Sequence, residues 1–204
     1  MNNKRACRAF TLIELLVVVT IIGILAGLAV PAVGKALESA RRGEAAAMVN
    51  QLRTALVQYE TEYGVWPKAL RSTGNSSEDK EADSVDLYNT LIARDKGLNA
   101  NHEDNPRRIV FMEFNTKILR SGSPSKTNRT PPSNPSQAEF FVDPWNQLYY
   151  FKADSNYDNS IQLPQPPFTG VLASSLIIWS PGPQKDYSSD GGGNDINKFI
   201  TSWK

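Results

Sequence analysis

The 204-residue sequence has one cysteine, Cys7, and one histidine, His102. One cysteine excludes an intrachain disulfide framework. The pair together leaves too few ligands for a Cys/His zinc site, and no Cys–His catalytic pair stands out. An excess of one charge is missing too, since 22 Lys+Arg stand against 21 Asp+Glu, a formal net charge of +1. A nucleic-acid surface needs a basic patch, and none stands out, so no nucleic-acid partner is expected. Internal repeats are absent, and residues 65–204 hold no further apolar run long enough to span a membrane. The length suggests one ordinary domain plus an appendage.

The appendage is at the N-terminus. Residues 1–9, MNNKRACRA, carry Lys4, Arg5 and Arg8 and no acid. Basic residues before an apolar run hold that end in the cytoplasm. From Leu15 to Val33 no residue is charged. As a helix that run spans ~28 Å at ~1.5 Å per residue, close to a bilayer core of ~30 Å. It exceeds the roughly 7–15 apolar residues of a secretory signal peptide. The small residues Ala6 and Ala9 lie before the run, the wrong side for ordinary secretory cleavage. The expectation is a single-pass anchor, basic end inside, with the bulk of the chain outside.

Glu14 conflicts with that anchor. An ionisable group in a spanning segment is costly and usually has a partner. No Lys, Arg or His follows within the next two turns. Either Glu14 lies at the membrane edge and reaches to the headgroups, or its cation comes from elsewhere.

The stretch AFTLIELLVVVTIIGILAGLAVP, residues 9–31, resembles the N-terminal signature of type IV pilins and type II secretion pseudopilins. The resemblance implies a prepilin leader over 1–9, cut by a prepilin peptidase between Ala9 and Phe10. It implies N-methylation of the new Phe10 amine and pairing of that amine with Glu14 of a neighbouring subunit. The family usually has glycine before the cut, where this chain has Ala9. Cleavage would also discard Cys7.

Gly23, Gly27 and Pro31 interrupt the apolar run. Glycine weakens a helix interior, and proline removes a donor and clashes one turn back. In lipid this can be a harmless kink. The resemblance implies instead that Gly23–Pro31 loses helicity when the subunit enters a filament.

The long helix is expected to have two halves, 10–33 for membrane and assembly and 34–64 amphipathic. In the second, Met48, Leu52, Ala55, Leu56, Tyr59 and Tyr63 recur at three- and four-residue steps, a core stripe. Gly64 and Pro67 are stop signals.

Residues 65–204 are expected to form a periplasmic globular domain, giving an α+β protein with the helix packed on an antiparallel sheet. SVDLYNTLIARD has helical spacing, with Leu87, Leu91 and Ile92 on one face. RRIVFMEF, AEFFVD, QLYYFKA and SLIIWS have the composition and turn-bounded length of strands. NSSEDKEAD and the Pro/Ser-rich RSGSPSKTNRTPPSNPSQ are polar inserts, the second a long surface loop. Asp143-Pro144 favours a turn. DPWNQLYYF is similar to a DPW turn and strand of major pseudopilins, with NQL in place of GNP.

The C-terminal loop, 180–198, places Asp186, Asp190 and Asp195 among serines and glycines. Calcium takes roughly six to eight oxygen ligands from such flexible loops, although Asp/Gly/Ser clusters are also ordinary solvated turns. The spacing is not an EF-hand. The resemblance to the calcium loop of major pseudopilins implies calcium on these three aspartates.

An enzyme needs acid/base groups with an oriented nucleophile. His102 lies in a polar loop without one, and Glu113 and Glu139 are lone acids near strands. No enzymatic activity is expected. The resemblance implies a homo-oligomeric filament subunit, with the peptidase, an inner-membrane platform and other pseudopilins as partners. A surface pilus subunit and a membrane-anchored binding protein are the alternatives.

Overall fold

A computed structural model describes residues 10–71, 80–122, 131–132, 134–164, 168–183 and 198–203. One helix, α1, runs from Leu12 to Tyr63. The chain divides into two compact units, Met1–Arg41 and Arg42–Lys204. α1 supplies the described part of the first and opens the second.

The end of α1 follows its local chemistry. Gly64 takes φ +70 and its N–H donates to the Glu60 carbonyl at 2.8 Å. That left-handed residue costs a glycine little, and Pro67 lies just beyond. Before it, Ala45, Val49, Leu52, Leu56 and Tyr59 are buried. They form one stripe at 3.6-residue periodicity, and each large side chain in it contributes about 1.5–3 kcal/mol.

Short elements follow in the globular unit. β1 (Glu81–Asp83) leads into α2 (Ser84–Leu91). α2 starts with a capping box, Asp83 accepting from the Val85 and Asp86 N–H groups while Asp86 accepts from Asp83 N–H. After it come β2 (Leu119–Arg120), β3 (Phe140–Phe141) and β4 (Tyr150–Ala153). β5 (Ile161–Gln162), β6 (Val171–Leu172), β7 (Leu176–Ser180) and β8 (Ile200–Thr201) complete the order. The main sheet is antiparallel with order β1-β4-β7-β8. β2–β3 and β5–β6 form two separate two-stranded sheets.

β7 is buried along its whole length, as its unbroken LIIW run requires. Side chains alternate between faces. Leu176 and Ile178 join α1 and α2 in the main core. Ile177 and Trp179 meet Ile161, Phe168 and Phe199 in a second cluster. Arg53 of α1 donates to the Leu176 carbonyl at 3.1 Å, tying helix to sheet.

Two expectations fail here. RRIVFMEF is not a strand; residues 108–115 are irregular. Its backbone N–H groups at Phe111 and Met112 turn to the Leu91 carbonyl at the end of α2, and Ile109 N–H to the Asn105 side chain. With those donors used, the segment cannot join a ladder. AEFFVD does form a strand, β3, but it pairs with β2 outside the main sheet. The main sheet takes β1 instead, whose EAD closes what looked like a polar insert.

The polar loop NANHEDNP is also not fully exposed. Asn99, Asp104 and Asn105 are buried. Asp104 Oδ1 accepts from Lys68 N–H at 2.9 Å and from Arg71 at 3.2 Å, and Oδ2 from the Thr90 hydroxyl at 2.9 Å. The Tyr59 hydroxyl donates to the Asp104 carbonyl. Burial and the Asp104 charge push that hydroxyl well above the usual tyrosine range, so it remains a donor. A buried carboxylate is tolerable because these donors satisfy it, and here it pins α1, the turn after it and α2 together.

Candidate assembly site

The first half of α1 presents the residues singled out for assembly. Phe10 is 72% exposed and Leu12 88%, and the large apolar side chains from Ile13 to Leu28 are uncovered as well. Such a surface is too large for a monomer in water. The helix is long and apolar enough to cross a membrane. It runs without a break through Gly23 and Pro31. A methyl group added at Gly23 or Gly27 would meet nothing within 4 Å.

Glu14 has a partner within its own chain. Its Oε2 accepts from the Thr11 N–H at 2.9 Å and from the Thr11 hydroxyl at 2.8 Å. The Glu14 N–H in turn points to Thr11 Oγ1 at 3.3 Å. Helix α1 begins at Leu12, so Thr11 is the N-cap and Glu14 the third helical residue. This is a reciprocal capping box, and the T-x-x-E spelling announces it. The sequence reading of Glu14, at the membrane edge or paired with a cation from elsewhere, passed over Thr11.

Phe10, Ile13, Glu14, Val17 and Val18 line one shallow hollow of about 350 Å3. Phe10 and Glu14 therefore share a face of the helix. While Phe10 is joined to Ala9 its nitrogen is a neutral amide. Only cleavage at that bond creates a charged amine on this face.

Ala9 lies outside the described residues, as do Asp186, Asp190 and Asp195. The flanks of the acidic loop are described. Gly182 has φ +67, and a Cβ there would stand 2.3 Å from the Lys198 carbonyl oxygen. The two stems of the loop thus touch backbone to backbone, which only glycine permits.

The DPW turn is held by its first residue. Asp143 Oδ1 accepts from Trp145 N–H at 2.9 Å and Gln147 N–H at 2.7 Å, and Oδ2 accepts from the Ser180 hydroxyl. Asn146 takes φ +65, a conformation asparagine tolerates better than most residues. Asp143 is buried, so this turn locks β7 to the chain before β4.

The remaining candidates do not assemble. Glu113 is exposed, and Glu139 pairs with Lys96 at 2.7 Å. The hydrogen bond from Lys96 holds the Glu139 carboxyl below the usual range. His102 is half-buried at φ +54, its Nδ1 shielded with no hydrogen-bond partner among the described residues. Among the described residues no three His, Cys, Asp or Glu side chains gather as metal ligands do.

A helix capped at its first turn, with its described side chains exposed from Leu12 to Leu28, defines a subunit built to associate through that helix. The Prokaryotic N-terminal methylation motif matches residues 4–30. The chain is 30% identical over 136 residues to a Neisseria meningitidis fimbrial protein, covering 62% of this chain and 79% of that one. It is 39% identical over 70 residues to the type IV major pilin protein PilE of Neisseria gonorrhoeae, 34% of this chain and 42% of that protein. To the fimbrial protein EcpC of Eikenella corrodens it is 39% identical over 71 residues, 35% and 46% of the two chains. The matches to the last two thus span less than half of those relatives. No solved structure matches the chain at the same level of significance. The chain belongs to the type IV pilin-like family.

Proposed function

We propose that this filament subunit is held in the inner membrane by α1, with residues 65–204 in the periplasm. At the cytoplasmic end of the anchor it is cut between Ala9 and Phe10 and N-methylated, and it assembles through the first half of α1 into the periplasmic pseudopilus of a type II secretion system. Glu14 and Phe10 on one uncovered helix face carry the assembly reading. Once cut, Phe10 offers a positive amine to the Glu14 of another copy. A carboxylate in lipid without a cation is costly, and a paired one much less so. The Thr11 cap supplies neutral donors until the amine arrives. Subunits out of axial register would leave both charges unpaired.

The pseudopilus reading is supported by the DPW turn and by the spaced aspartates Asp186, Asp190 and Asp195, which would hold calcium and order their loop. A surface pilus is the second reading, favoured by relatives named as pilins and fimbrial proteins. Under either reading the chain carries out no catalytic step.

Replacing Glu14 with leucine is the decisive test. Filaments imaged from cells overproducing the variant should be absent, while mass spectrometry still finds an N-methylated Phe10. Filaments of normal number would sink the pairing. Deleting the gene separates the two readings. Loss of a secreted protein from the medium supports the pseudopilus, and loss of surface fibres alone supports the pilus. Chelation should lower the melting temperature if the aspartates hold calcium, and an unchanged melt with chelator and with added calcium removes the ion from the account.

A further inference from the structure

We draw no further inference here: the strongest candidate, the acidic loop after β4 with Asp154, Asn156 and Asp158 at alternate positions, carries nothing, because its carboxylates already accept from the loop's own Asp158, Asn159 and Ser160 N–H groups and no second feature among the described residues points to an ion.

Discussion

The two halves of α1 are one helix under two sets of rules. From Leu12 to Leu28 the described side chains are exposed, apolar ones included. From Ala45 to Tyr59 the apolar residues retreat to one stripe and are buried. Backbone hydrogen bonding is the same in both. The second half is held by side chains from elsewhere in its own chain, whereas the described side chains of the first, from Leu12 to Leu28, are exposed within their unit. Its stability in place has to come from lipid or from other copies. Apolar residues at helical spacing therefore mark a core only where polar residues occupy the opposite face.

Substitution along α1 should separate the halves sharply. Leu56→Ala leaves a cavity in the core and should cost about 2–5 kcal/mol. Leu16→Ala, in the uncovered half, should change unfolding by under about 0.5 kcal/mol. Urea unfolding followed by tryptophan fluorescence reads this directly, since all four tryptophans lie beyond residue 64. Equal losses for the two variants would break the comparison.

A smaller effect is expected where β7 is locked to the DPW turn. Asp143→Ala leaves the Trp145 and Gln147 N–H groups and the Ser180 hydroxyl without their acceptor. The expected loss is about 2–3 kcal/mol in the same unfolding experiment, with the helical signal of the first half of α1 unchanged. Smaller again is Thr11→Val, which removes the cap of α1 at a cost of about 1 kcal/mol of helix stability. Amide exchange of residues 11–15 in micelles should speed up, while tryptophan-detected unfolding remains as in the parent.

The smallest effect is electrostatic and belongs to the globular unit alone. Lys96 lowers the Glu139 pKa in the folded state. Stability from this pair is fully present above the ordinary glutamate value of 4.5 and fades as pH falls through the lower folded value. Both groups are partly exposed, and solvent screening leaves such a pair about 0.5 kcal/mol. The Lys96→Met variant should match the parent well below pH 4 and fall short of it at pH 7.

Local features were legible because their causes lie within a few residues of one another. Gly64 and Pro67 mark the end of α1. Leu87 and Leu91 mark the apolar face of α2, with Ile92 at its C-cap, and LIIW marks a strand. The T-x-x-E cap at Thr11 is spelled out as plainly, although the cost of a carboxylate in an apolar run draws attention to the membrane edge or a distant cation instead. RRIVFMEF misled because β-branched and aromatic residues state only a fit to a buried extended surface. Whether such a segment pairs depends on where its donors go, and Asn105 and Leu91 took them.

The sequence alone determined the apolar N-terminal run, the lone carboxylate within it, the amphipathic continuation and the main punctuation of the chain. These rest on periodicity, capping and proline geometry, which act over one or two turns. Only the tertiary structure decided that Asp104 and Asn105 are buried pins and that EAD rather than RRIVFMEF flanks β4. Each of those depends on partners brought together from distant parts of the chain, and no local pattern encodes such a meeting.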